Sequence, residues 1–134
     1  MIKSDDTGKL LIRLSVGILL LLHGLMKLST GVGGIAGMLN AHGLPGFLAY
    51  GVYVGEIIAP LLLIIGVCTR LGGLIIAINM IVAIFLAHMG QLHSLNGQGG
   101  WALELQGMFL FGALAVAFMG AGRFSLAGTG GRWN

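Results

Sequence analysis

Apolar residues fill four long stretches of this chain, near 9–28, 46–67, 71–90 and 101–120, and polar residues gather between them. About 20 apolar residues carry a helix across the hydrocarbon of a bilayer, so the pattern predicts four transmembrane helices. After the first stretch, Ile35, Met38 and Leu39 recur at i, i+3 and i+4, with Asn40 and His42 opposite or beyond. That spacing predicts a short helix lying on the outer membrane interface. Asp5, Asp6 and Thr7 stand where they favour the N-terminus of the first helix. Gly43-Leu44-Pro45-Gly46 stops the short helix and opens the second span. Gly66 to Arg70 is short enough to make spans two and three antiparallel neighbours. Gln91–Gly100 reads as a polar outer loop, and residues 125–134 as a flexible tail. The predicted fold is all-α: one integral-membrane four-helix bundle over residues 1–134, with a short interfacial helix between spans one and two.

Composition agrees. Mean hydropathy is +1.00 and 8% of residues are charged, more apolar surface than a soluble domain of this size needs. The net charge of +3 does not point to nucleic acid, because the basic residues sit at helix ends. With four spans, Lys3, Lys9, Arg13, Arg70, Arg123 and Arg132 fall on one side and only Lys27 on the other. The positive-inside rule then places both termini in the cytoplasm, as in a bacterial-type inner membrane. The first span has a basic lead-in like a signal peptide, but its apolar run is long and no Ala-x-Ala-like site follows, so it reads as a retained anchor. Cys68 is the one cysteine, which argues against a membrane dithiol reductase. It reads as a small buried apolar residue.

The most telling residue is Glu56, inside the second span and four residues before Pro60. A carboxyl at bilayer depth costs roughly 2.5–3.5 kcal/mol on insertion scales, which makes it a functional hypothesis by default. Pro60 has no N–H for the Glu56 carbonyl, so a kink and a free acceptor are predicted beside the acid. Gly51, Gly55 and Ala59 form a small-residue stripe on the same helix, a packing face within the bundle or a dimer seam.

Antiparallel threading puts His23, Lys27, Tyr53, Glu56, His88 and Glu104 in the outer half, from four helices, with Trp101, Met108 and Phe111 near Glu104. Bundle cores are where such proteins place ligand sites. Glu56, His23 and Glu104 are the candidate proton-handling groups. Tyr53, Lys27, His88, Trp101 and Met108 are candidates for holding a ligand. Each has an ordinary reading as well. Lys27 can snorkel to headgroups, His23 can be a satisfied core histidine, and His88 can be interfacial. Glu104 can be solvated, and Glu56 can be a neutral or salt-bridged packing acid. Arg13 reads as a lipid-phosphate anchor. Asn79 is mid-span but about 180° around its helix from His88, so both cannot face the core, and Gln106 opposes Glu104 in the same way.

Quinone head groups need a donor or acid at each carbonyl and an apolar slot for the ring, and His, Tyr and Glu beside Met and aromatic residues supply that. Two His and two Glu resemble a di-iron bundle in composition, but the Glu-x-x-His pairs of such sites are absent. A bis-histidine haem through His23 and His88 is conceivable, and no nucleotide motif is present. No metal or nucleotide is predicted.

The order Arg13-Leu-Ser-Val-Gly17, His23-Gly24-x2-Lys27, Gly43-Leu-Pro45, Glu56, Gly66-Val-Cys-Thr69-Arg70 and Gly122-Arg123-Phe-Ser125-Leu126 resembles the DoxX family of small four-helix membrane proteins. The resemblance covers roughly residues 9–127. The family's last motif often reads Gly-Pro-Gly and ends Ser-Leu-Asp, where this chain has Ala121 and Ala127. The resemblance implies an inner-membrane protein linked to sulfur or oxidative-stress metabolism, in a family named for a quinone-linked thiosulfate oxidoreductase subunit. The leading expectation is a quinone-interacting oxidoreductase subunit without its own electron carrier. It would contact lipid and a redox partner protein, with homo-oligomerisation open. The alternative is a non-catalytic membrane scaffold or small-solute carrier with an outward-facing polar pocket.

Overall fold

The computed structural model describes residues 4–134. Lys3, counted above among the basic residues, lies outside them. The described chain is helical, with no β-strand among these residues. Its elements are α1 (Ser4–Thr30), α2 (Gly33–Ala41), α3 (Gly46–Ile65), α4 (Thr69–Ala87) and α5 (Glu104–Met119). Helices α1, α3 and α4 are each long and apolar enough to cross a membrane, and α5, at 16 residues, is shorter.

Boundaries shift where the polar signal was weak. Within the described residues α1 runs from Ser4, earlier than the predicted residue 9, with Asp5 and Asp6 in its first described turn. Helix α4 ends at Ala87 and α5 begins only at Glu104, leaving Trp101 in the preceding loop. That loop is closed by a single bridge between Leu95 and Trp101.

Helix α1 packs on the second half of α3 and on α5, α3 packs on α4, and α4 lies along α5. One core joins these rods, built from Val16, Leu20, Leu63, Ile76, Phe109 and Val116. Lipid tails are as apolar as leucine, so close van der Waals fit rather than burial from water must hold such rods together. Small residues permit it: a Cβ on Gly73 would lie 2.6 Å from the Ala113 carbonyl oxygen of α5. A second, smaller cluster of Val32, Leu39 and Ala49 seats α2 over the start of α3, with Ile35 and Leu86 packed against it. The apolar i, i+3, i+4 face of α2 is therefore turned onto the protein.

The end of the bundle holding both termini is tied by side chains. Arg13 is buried, 1% exposed, and its Nη2 donates to the Phe124 carbonyl at 2.5 Å. It is not the exposed lipid-phosphate anchor its position suggested, because residues 122–127 fold across it. Leu126 and Ala127 donate backbone N–H groups to the carbonyls of Ile65 and Gly66. Gly66 has φ +73°, and a Cβ there would overlap the Arg13 guanidinium, so glycine is required twice over. Arg70 donates to the carbonyls of Ala117 and Phe118, capping the C-terminus of α5 with a cation. The last residue is also engaged: Thr69 Oγ1 donates to Asn134 Oδ1 at 3.0 Å. Cys68 is half-buried and takes a left-handed φ of 48° in the turn between α3 and α4.

Candidate functional site

Helix α3 is not uniform. It opens with a 3-10 turn (Gly46–Tyr50), passes through one α turn and then a π-helical turn over Val54–Ile58, and continues as α-helix to Ile65. The Ala59 N–H reaches back five residues to the Val54 carbonyl. Pro60 explains this widened turn. It offers no N–H to the Glu56 carbonyl, so the ladder is already broken there and an extra residue is accommodated at little cost. The expected disturbance at Pro60 is therefore a π turn with Glu56 in its middle. The extra residue changes the register of α3 above the turn relative to below it, and turns Glu56 inward.

The freed Glu56 carbonyl meets α1 at Gly24, where a Cβ would overlap it. Glycine at this one position lets α1 approach the break in α3, and the approach brings Lys27, one turn along, over the acid. Lys27 Nζ donates to both oxygens of Glu56, at 2.5 and 2.6 Å. The Glu56 side chain is 4% exposed and that of Lys27 33%. On the other side Asn79 Nδ2 donates to Glu56 Oε1 at 3.2 Å. Gly55 makes room for this, since a Cβ there would lie 2.5 Å from the Asn79 amide carbon. Tyr53 does not touch the acid; its hydroxyl donates to the Lys27 carbonyl at 3.2 Å and steadies the end of α1. Among the described residues Lys27–Glu56 is the one ion pair.

This polar triad forms the floor of a groove of about 580 Å³ between α2, α3 and α4. Its walls are hydrocarbon, with Leu39, Leu48, Val52, Ile75 and Val82 among them, and His88 stands at the far end. His88 lies beyond the last residue of α4 with φ −130°, so helical-wheel spacing does not govern it. That removes the predicted conflict: Asn79 and His88 both line the groove. His88 Nδ1 is 3.0 Å from Gln91 Oε1, and its Nε2 is 3.3 Å from Gln106 Nε2. With Gln91 accepting from Nδ1–H, Gln106 donates to Nε2. Gln106 is thus the inward residue of its pair, and Glu104 faces out.

The other predicted residues do not join this site. His23 is exposed and sits edge-on to Phe109 of α5, ring centres 5.6 Å apart. Glu104 is exposed and accepts from Asn96 in the loop at 3.2 Å. Trp101 donates from Nε1 to the Leu92 carbonyl and covers Gly107, and Met108 is 73% exposed. The single predicted cluster is therefore split: on α1, Lys27 meets Glu56 while His23, one turn earlier, packs edge-on against Phe109 of α5. No group of three His, Cys, Asp or Glu side chains that could hold a metal forms among the described residues. Asn79 and Gly24 are the residues that sequence reasoning underweighted. A lone amide in an apolar span carries the same signal as Glu56, and a glycine facing a proline-freed carbonyl is legible once the helices are paired.

These observations define a class first: an all-α membrane protein with a buried lysine–glutamate pair at the base of an apolar groove. The chain belongs to the DoxX family, whose sequence pattern matches residues 8–89 and so covers Lys27, Glu56, Asn79 and His88. It is 33% identical over 108 residues to a Bacillus subtilis (strain 168) protein named "Putative oxidoreductase CatD", covering 81% of this chain and 80% of that one. No solved structure matches the chain.

Proposed function

We propose that this protein is a quinone-interacting subunit of a membrane oxidoreductase system, and that the floor of the groove is its head-group site. The observation that carries this is the Lys27–Glu56–Asn79 triad beneath an apolar slot of about 580 Å³, a volume within the ordinary range for small-molecule sites. A quinone supplies two-electron redox chemistry coupled to proton uptake and release. The chain supplies hydrogen bonds and a proton acceptor. Lys27 donates to both oxygens of the Glu56 carboxyl, and Asn79 fixes its rotamer while keeping a second N–H for a ligand carbonyl. Any electron carrier would be held by a partner protein, and the oxidoreductase name of the Bacillus relative supports such a system.

In this reading α5 is the fourth span, so the fold is a four-helix transmembrane bundle with α2 on the outer interface. Lys9, Arg13, Arg70, Arg123 and Arg132 collect at the end holding the termini, which supports reading that end as the cytoplasmic one of an inner-membrane protein. The test is mass spectrometry of small molecules extracted with the native chain and with Glu56→Ala, both purified in mild detergent. Quinone enriched in the native sample and depleted in the variant is the expected result. No enrichment over an unrelated membrane protein would turn the reading toward a non-catalytic scaffold or small-solute carrier.

A further inference from the structure

The groove is larger than a head group needs, and its shape says what the remainder of the ligand is. Along α4 it runs from Ile75 to Ala87, roughly 18 Å at 1.5 Å per residue. Four polar side chains with ionisable or amide groups line it: Lys27, Glu56, Asn79 and His88. Three of them are clustered at the floor and bonded to one another. The floor carries one positive and one negative group in contact, so it has no spare charge with which to balance a charged ligand. Charge brought into such a slot without a partner is strongly disfavoured.

The opening is lateral. Leu48 and Val54 on α3, and Ile78 and Val82 on α4, line the groove and are each between 42% and 61% exposed. All four lie inside helices long and apolar enough to span a membrane. The opposite mouth is roofed by α2, whose Leu39 is 5% exposed and packs inward. The ring of His42, just past α2, lies 5.8 Å from that of Phe85 on α4, which adds to the roof. A solute arriving from water would meet this roof and an apolar wall before it met Glu56.

We infer that the groove takes a neutral amphiphile, with a hydrogen-bonding head at Glu56 and Asn79 and an apolar chain that leaves sideways between α3 and α4, beneath α2, into the bilayer. This rests on the head-group reading above and adds neutrality, a tail and a lateral route. It makes Ile78 and Val82 residues of the portal.

The test uses the full chain in lipid nanodiscs and two photoactivatable probes with the same diazirine-bearing hydrocarbon tail. One carries a benzoquinone head, the other a carboxylate. Peptide mapping reads where each attaches at pH 7. The quinone probe is expected to label the segments around Leu48–Val54 and Ile78–Val82 several-fold above other exposed positions such as Phe118 and Leu11. A tailed quinone should compete better than a tail-less one, and the carboxylate probe should label at background. Ile78→Trp, at an exposed position that tolerates bulk, should cut rim labelling several-fold with the helical circular dichroism unchanged. Equal rim labelling by the carboxylate probe would overturn the inference, as would labelling spread evenly over all exposed apolar residues. If Glu56→Ala loses co-purified quinone while the rim stays unlabelled, the head-group reading stands and the lateral route falls. If the rim is labelled specifically but no quinone co-purifies, the neutral-amphiphile inference stands and quinone as its natural occupant falls.

Discussion

Helix α1 turns two cations onto the rest of the protein, Lys27 half-buried and Arg13 buried, and the protein treats them differently. Lys27 meets a carboxylate through two short contacts, remains one-third exposed, and borders an open groove. Arg13, near the other end of the helix, is 1% exposed and donates to one backbone carbonyl, while its Nε and Nη1 have no partner among the described residues. The chain itself covers it with residues 122–127. A charge that is paired and left at the edge of a cavity can change partner when a ligand arrives. A charge enclosed by its own C-terminal segment cannot. On the proposed function, chemistry belongs to the Lys27 end and structural closure to the Arg13 end, on the same helix and with the same formal charge.

The largest expected effect breaks the first of these. Lys27→Met leaves the Glu56 carboxylate buried with only Asn79 as donor. Removing one member of a buried pair typically costs about 3–5 kcal/mol, and the partial exposure of Lys27 brings the expectation to the low end of that range. Glu56→Gln in the same background should recover most of the loss, because no uncompensated charge remains. Denaturant titration in detergent of the two single variants and the double variant closes this cycle. A loss below about 1 kcal/mol for Lys27→Met would mean that the burial of Glu56 does not depend on its contact with Lys27.

Glu56 was legible in the sequence because a carboxyl in an apolar run has few explanations. Lys27 was legible because antiparallel threading brings the end of the first span over the middle of the second. The DoxX motifs at Arg13, Gly66 and Ser125 were also visible as an ordered series. Their purpose was not, since nothing local says that segments more than fifty residues apart close on one guanidinium. The split of the predicted site has a physical cause too. Threading fixes the depth of a residue but not the partner its side chain meets, and His23 packs on Phe109 while Glu104 bonds to Asn96 in the loop before α5. The π turn lay outside periodicity arguments, which assume one register throughout a helix. Pro60 announced that the ladder breaks, and the structure shows which way the break resolves.

A smaller effect is expected at Gly24. A Cβ there overlaps the Glu56 carbonyl, a backbone atom that cannot swing away. Gly24→Ala must push α1 from α3, which costs about 1–3 kcal/mol as an overpacking change. It should also lengthen the Lys27–Glu56 contact and weaken quinone retention. Gly8→Ala on the same helix has open space and serves as the control. Equal behaviour of the two would remove close helix approach as the device that delivers Lys27 to the acid. At the closed end, Arg13→Met keeps most of the side-chain volume and leaves the Phe124 carbonyl without its donor. An orphaned buried acceptor costs about 1–3 kcal/mol, partly offset because an incompletely bonded cation is removed as well. The net should be about 1 kcal/mol, with faster proteolysis after residue 120 and unchanged quinone retention. A loss of retention would join the two ends of α1 into one functional unit.

The smallest expected effect sharpens the comparison most. His23→Ala and Glu104→Gln alter titratable residues at a depth similar to the site, yet both side chains are exposed and bonded or stacked elsewhere. If direction rather than depth selects the chemistry, each variant should unfold within experimental error of the native chain and retain quinone at native levels. Asn79→Leu, which removes an amide of the triad but adds no charge, should reduce retention several-fold in the same assay. The ordering of the three variants is the result that matters. Retention lost in His23→Ala or Glu104→Gln, and kept in Asn79→Leu, would move the site from the α3–α4 groove to the face between α1 and α5. It would also turn the Lys27–Glu56 pair into the structural member of the comparison.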